Sequence, residues 1–218
     1  MSDVITFNTE TGDYGQVQKH KDPWHHLGAA DWVQKQVDWA NQSEPAGAGL
    51  IEPISKLKGE LVGVEIGVCL GATTETFLKQ VPNIRHIYAV DNYPAFIDWN
   101  GGDINEERQQ LMKEHAVERL TPFGDRVIFK YQSSIDFASL LSVTEQEFFD
   151  FVFIDGDHSY EGSSADFQAY YPLVKKGGIF AGHDIVLPGV SKALKDFFKE
   201  DFSKIKQVSN SGWYLIKE

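Results

Sequence analysis

LVGVEIGVCLGATT, Leu61 to Thr74, runs from an apolar stretch through a glycine-bearing turn into a helix-compatible segment. An almost unbroken apolar run reads as a strand buried on both faces, and a strand that feeds a helix through a glycine turn is the opening unit of a parallel α/β sheet. Four further runs repeat the pattern: HIYAVD at 86–91, RVIFKY at 126–131, FDFVFID at 149–155 and GIFAGHD at 178–184. Helical segments separate them, so the chain is read as a doubly wound, Rossmann-like α/β fold. After a helix at 190–201, KIKQVS at 204–209 and WYLIK at 213–217 are separated by Asn210, Ser211 and Gly212 and read as a hairpin, which puts an antiparallel strand at the sheet edge.

Upstream, Asp22-Pro23 reads as an N-cap with proline at the first helical position, and Ala29, Val33, Val37 and Ala40 recur at helical spacing. The spacing predicts a helix over 23–42, broken by PAGAG from Pro45 to Gly49, and a short helix over 50–58. The expected organisation is an N-terminal leader and helical extension over 1–58 and a main domain over 59–218. Between Asn92 and Asp125 a helix is expected over 104–120, which leaves PAFIDWNGGD as a loop able to cover a site, with Trp99 its lid candidate.

A length of 218 residues, 42% of them hydrophobic, suits one sizeable core. With 20 basic against 32 acidic residues the net charge is −12, which disfavours nucleic acid and anionic membranes as partners. The opening MSDVITFNTETGDYGQ has no basic or apolar signal region, and no apolar run approaches the roughly 18 residues that span a bilayer. A soluble, cytoplasmic protein is expected, and a homo-oligomer remains open. Cys69, the sole cysteine, has no intrachain partner, which fits a reducing compartment.

In a doubly wound sheet the turn after the first strand lies at the crevice where cofactors bind. Aligned to the dinucleotide pattern GxGxxG, Gly67 is the first glycine, but Cys69 and Ala72 hold the second and third places. Glu65 would also bring negative charge toward a phosphate, so this turn suits a ligand with a positive end and no phosphate. Asp91, 24 residues past Gly67, ends the second strand, where a carboxylate accepts the hydroxyls of an adenosine ribose. Gln132, Ser133 and Ser134 follow the third strand at the same edge, where adenine would be held.

FIDGDHSY, Phe153 to Tyr160, begins at the carboxyl end of the fourth strand, and GHD ends the fifth. Asp155 is thereby expected to face His183 and Asp184 across neighbouring strand ends. Two carboxylates and an imidazole with no obvious basic partner repel one another or hold protons unless a cation lies between them, and a divalent metal supplies that charge. Taken singly, each aspartate reads as a helix cap. Their coincidence at two strand ends beside the cofactor turn favours the metal.

EIGVCLGATT, AVDNYP, FVFIDGDHSYEG and KKGGIFAGHDI, in that order, resemble class I S-adenosylmethionine-dependent methyltransferases, in particular the metal-dependent O-methyltransferases of the macrolide-sugar and cephalosporin-hydroxylase-like type. The resemblance covers about residues 60–190 and implies a seven-stranded, mostly parallel sheet with its last strand reversed. It implies cofactor contacts at Glu65, Gly67, Gly71 and Asp91, with Ser133 and Asp155 beside them, and a metal held by Asp155, His183 and Asp184. His183 departs from the carboxylate usual in such relatives, and an imidazole weakens the case for magnesium against manganese, iron or zinc.

Methyl transfer from a sulfonium to an alcohol needs the hydroxyl proton removed. A metal lowers the hydroxyl pKa and a base takes the proton. Asp157 and His158 are the base candidates, with His158 favoured because an imidazole titrates near 6.5. The expected acceptor is a hydroxylated small molecule such as a sugar, polyketide or catechol. Trp24, Trp32 and Trp39 read as packing for the leading helix, and His25-His26 do not read as a metal pair. Two other functions compete: a nicotinamide-dependent oxidoreductase, disfavoured by Cys69 and Ala72 in the turn, and a catalytically silent cofactor-binding module.

Overall fold

The computed structural model describes residues 23–97, 103–142 and 147–218. The chain runs α1 (Ala29–Gln42), α2 (Ile51–Ser55), β1 (Leu61–Ile66), α3 (Ala72–Gln80), β2 (Ile84–Val90), β3 (Phe96–Ile97), β4 (Asp103–Ile104), α4 (Glu106–Leu120), β5 (Val127–Lys130), α5 (Ser134–Ser142), β6 (Phe149–Ile154), α6 (Tyr160–Tyr170), β7 (Val174–Gly182), α7 (Pro188–Phe198), β8 (Lys206–Gln207) and β9 (Trp213–Ile216). Seven strands form one sheet in the order β5-β2-β1-β6-β7-β9-β8. β5, β2, β1, β6 and β7 are parallel, whereas β9 runs antiparallel to both β7 and β8. The expected doubly wound sheet with a reversed C-terminal strand is the observed one. Its order reverses beside β1, with β2 on one side and β6 on the other, so the crevice opens over the carboxyl ends of β1 and β6.

The apolar run of β6 supplies both faces of the sheet. Val152 and Ile154 join Ile66, Phe167, Phe180 and Leu194 on one face, and Phe151 and Phe153 join Ile54, Phe77, Leu78 and Ile179 on the other. Alternate residues of a strand point to opposite faces, so a strand covered by helices on both sides has no polar face to show. Each fully buried phenylalanine contributes about 1.5–3 kcal/mol of transfer free energy. Asp150 is the exception within β6. Its carboxylate accepts the Val62 N–H at 2.8 Å and pairs with Lys175 Nζ at 2.9 and 3.0 Å, so a half-buried charge there is neutralised.

Several bounds differ from the sequence reading. The first helix starts at Ala29 rather than 23, because Gly28 precedes it in an extended conformation, φ −59° and ψ 159°, and Asp22 lies outside the described residues. β7 starts at Val174, four residues before the apolar run at 178, because backbone pairing continues through a lysine- and glycine-rich segment: Gly177 N–H donates to the Lys217 carbonyl at 2.7 Å. The 92–104 loop holds the antiparallel pair β3 and β4, and Trp99, the expected lid residue, lies outside the described residues. The leading helix α1 packs on α4 through Trp32, Val33, Ile104 and Met112, with Leu70 of the β1 turn in the same cluster. Among the described residues, no helix is long and apolar enough to cross a membrane.

Candidate active site

At the end of β1, Gly67 has φ +84°, and a Cβ on it would lie 2.1 Å from the Asp155 carbonyl oxygen. The turn and the β6 exit thus approach closely enough that only glycine fits. Gly71, with φ +75°, then starts α3. Asp91 braces this turn: Oδ2 accepts the N–H groups of Val68 at 2.9 Å and Cys69 at 3.0 Å, and Oδ1 accepts that of Tyr93 at 2.7 Å. Desolvation raises its carboxyl, and the three N–H donors oppose that rise. A carboxylate has about four lone-pair sites, so acceptor capacity remains for a ligand.

Glu65 is only 2% exposed, and its Oε2 accepts the Thr74 hydroxyl. Burial, with the negative Asp155 and Asp91 nearby, raises its pKa to about 8. The sequence reading has Glu65 presenting negative charge at the turn; within the fold it is a buried, largely protonated carboxyl that ties β1 to α3. In the unfolded chain the group titrates near 4.5, so between 4.5 and about 8 the folded chain holds a proton that unfolding releases. Stability from this group is complete below the unfolded value and is lost as pH rises through the folded one. The unfolding free energy is expected to fall from pH 5 to pH 8, with a slope approaching about 1.4 kcal/mol per pH unit for one proton, and the thermal midpoint to fall with it. Asp166, raised to about 6 mainly by burial, adds to the lower part of that fall. Glu65→Gln should flatten the slope in a series of melts, and an unchanged slope in the variant would contradict this account.

Asp155, at the β6 exit, and His183 and Asp184, at the β7 exit, converge as the strand order requires, and His158 joins them. His158 Nε2 lies 3.3 Å from Asp155 Oδ1 and 3.2 Å from Asp184 Oδ2; His183 Nδ1 lies 3.6 and 3.3 Å from the same two oxygens. Asp155, His158 and Asp184 bring one ligand atom each within 4.8 Å of one another. Asp184 sits at φ +55°, a left-handed conformation that non-glycine residues seldom adopt. Burial alone would lower the His158 imidazole, but its hydrogen bond to Asp155 and the charges of Asp155 and Asp184 leave it above its ordinary value. His183 is raised in the same way, and the two imidazoles hold Asp184 below the usual carboxylate range against its burial. His183 Nε2 is buried without a hydrogen-bond partner, while the His183 carbonyl accepts the Trp213 indole N–H at 3.0 Å.

The other base candidate points elsewhere. Asp157 Oδ1 accepts the Ser159 N–H at 2.8 Å, and its Cγ lies 2.4 Å from where a Cβ on Gly162 would be, so this carboxylate leans on the start of α6. Ser133 likewise has a local partner, its Oγ accepting the Asp136 N–H at 3.1 Å at the start of α5. The sequence reading leaves out that His158 is the basic partner of both aspartates; the Asp155-to-His158 spacing is the signal that carries it. His25 and His26 stack edge to face at 5.8 Å, on the exposed leader.

A doubly wound sheet ending in a reversed strand, with a glycine turn braced by an acidic residue from the next strand, defines the class I S-adenosylmethionine-dependent methyltransferase fold. The chain belongs to the family described as "Methyltransferase domain", whose model matches residues 64–185. It is 37% identical over 158 residues to the uncharacterized protein R132 of Acanthamoeba polyphaga mimivirus, over 68% of this chain and 66% of that protein's length. Solved structures share the fold at low identity. The calicheamicin methyltransferase CalS11 has a TM-score of 0.56 at 16% identity, covering 86% of this chain and 91% of its own. An O-methyltransferase from Bacillus cereus in complex with S-adenosylhomocysteine gives 0.58 at 17%, covering 85% and 88%. TomG from Streptomyces achromogenes, involved in tomaymycin synthesis and solved with S-adenosylmethionine, gives 0.58 at 15%, covering 87% and 88%.

Proposed function

We propose that this chain is an S-adenosylmethionine-dependent O-methyltransferase acting on a hydroxyl of a small molecule or sugar, with a divalent metal at the strand-end cluster. The observation that carries the reading is the meeting of Asp155, His158, His183 and Asp184 beside the turn that Asp91 braces. The donor set fits a metal. Two carboxylate oxygens and an imidazole nitrogen converge, and among the described residues no Lys or Arg pairs with either aspartate. Asp155, His183 and Asp184 would hold the ion, and mixed oxygen and nitrogen donors favour manganese, iron or zinc over magnesium.

Bound S-adenosylmethionine supplies an electrophilic methyl on its sulfonium, and a divalent ion supplies Lewis acidity toward the acceptor hydroxyl. Asp91 offers its remaining acceptor site to a ribose hydroxyl, and Gly67 and Gly71 allow the backbone to approach the nucleoside. His158 takes the acceptor proton at Nδ1, its Nε2–H being directed at Asp155 and Asp184, which favour the imidazolium so formed. Asp157 supports the loop from the α6 side.

A second reading has its own support. His158 and His183 lie within hydrogen-bonding reach of the two aspartates, so the carboxylates have partners without an ion, and His158 in its neutral form would act as a metal-free base. Chelation separates the two.

Calorimetry with S-adenosylhomocysteine tests the cofactor. Asp91→Ala should weaken binding by about 1.5–3 kcal/mol, the range for losing a charged hydrogen bond. Unchanged affinity would remove Asp91 from the site. Tighter binding of NADH than of S-adenosylhomocysteine would replace the methyltransferase reading with the oxidoreductase one, and binding without turnover on any hydroxylated acceptor would favour the silent module.

A further inference from the structure

The turn at the end of β1 holds a residue with a side chain in a conformation that glycine adopts without strain. Cys69, midway between Gly67 and Gly71, has φ +51°. Both of its backbone polar groups are held by residues from the β2 exit: its N–H donates to Asp91 Oδ2 at 3.0 Å, and its carbonyl accepts the Tyr93 hydroxyl at 3.0 Å. Tyr93 is itself left-handed, φ +48°, with its N–H on Asp91 Oδ1 at 2.7 Å. Its ring packs against the cluster of Trp32, Leu70 and Met112 and against that of Val68, Ala89 and Leu120, so it spans the turn from β2 to α4. A β-carbon disfavours the left-handed region, and residues stay there only where their surroundings hold them. Without the hydroxyl, the Cys69 carbonyl is free to turn and the residue to relax, taking with it the two N–H groups that orient the Asp91 carboxylate.

We infer that Tyr93 is a cofactor-positioning residue, whose hydroxyl holds the Cys69 carbonyl and so keeps the β1 turn and Asp91 in the arrangement that receives the adenosyl group. This rests on the S-adenosylmethionine reading above. Burial pushes the phenol's ionisation well above the ordinary range, so the hydroxyl remains a donor at neutral pH. Tyr93 acts through the turn and makes no contact with the reacting atoms.

The test is S-adenosylhomocysteine calorimetry on the wild-type chain and on Tyr93→Phe, each with and without Cys69→Gly. Tyr93→Phe should raise Kd about tenfold, equivalent to ~1.4 kcal/mol. In turnover the loss should appear in KM for S-adenosylmethionine rather than at saturation. In the Cys69→Gly background, where residue 69 adopts φ +51° without help, the same Tyr93→Phe change should alter Kd by less than about twofold. A purely structural role for Tyr93 would instead lower the thermal midpoint equally in both backgrounds. Wild-type Kd in Tyr93→Phe, or an equal loss with glycine at 69, overturns the inference while wild-type binding of S-adenosylhomocysteine still upholds the cofactor. Absence of binding by the wild-type chain overturns both.

Discussion

His158→Ala is expected to lower turnover by about 10²- to 10⁴-fold, the usual contribution of a positioned general base, with affinity for S-adenosylhomocysteine intact. The size of the effect follows from where the imidazole stands. Its Nε2 lies 3.3 Å from Asp155 and 3.2 Å from Asp184, so the protonated form is favoured by two carboxylates. In metal-free protein the His158 ring, followed by NMR, should titrate above its ordinary 6.5, since those carboxylates outweigh its burial. The base works deprotonated, so turnover should be lowest in acid and rise with pH through the imidazole's titration. A cation held by Asp155 and Asp184 would oppose the carboxylate effect and shift the rise toward lower pH. Near-normal turnover in His158→Ala alongside an inactive Asp157→Ala would move the base to the aspartate. Loss of metal affinity in His158→Ala would make the imidazole a ligand.

The second large effect is expected at Asp184. Asp184→Asn should reduce turnover by about 10²- to 10⁴-fold, since Lewis-acid stabilisation contributes several kcal/mol and each 1.36 kcal/mol is a factor of ten. Asparagine tolerates the left-handed φ of +55° found here, so the substitution removes charge with the least disturbance of the backbone. Cofactor affinity should persist, because Asp184 lies at the β7 exit and the β1 turn is braced by Asp91. Exhaustive chelation should mimic the variant, and manganese, iron or zinc should restore activity better than magnesium if His183 is a ligand. Full activity after chelation would eliminate the metal and leave His158 as a metal-free base hydrogen-bonded to the two aspartates.

The two predictions differ in how much of their basis is visible in the chain. That Asp155 meets His183 and Asp184 follows from two neighbouring parallel strands ending at the same sheet edge, and their pairing, Ile154 against Gly182, places the exits side by side. That His158 completes the group, while Asp157 beside it does not, depends on the path of a short loop. Asp157 is turned by its bond to the Ser159 N–H toward α6, and His158 is thereby turned toward the aspartates. Nothing in the order D-H-S announces which side chain faces which way.

By itself the sequence determined the parallel sheet, its reversed terminal strand and the crevice carrying the chemistry, because these rest on patterns local to each segment: continuous apolar runs, glycine turns and polar residues at strand ends. Tertiary structure decided the protonation and pairing of the polar groups. Glu65 is largely protonated because burial beneath α3, with Asp155 and Asp91 nearby, outweighs the hydrogen bond from Thr74; Asp150 has a partner within β6 because Lys175, on the neighbouring strand, arrives beside it. Cys69 holds a glycine-like turn because Asp91 and Tyr93, 22 and 24 residues further along, fold back onto it. The physical reason is common to all three. A strand or turn is specified by residues within a few positions of one another, whereas the charge state of a buried group and the strain a backbone tolerates depend on partners that only the folded chain brings within hydrogen-bonding distance.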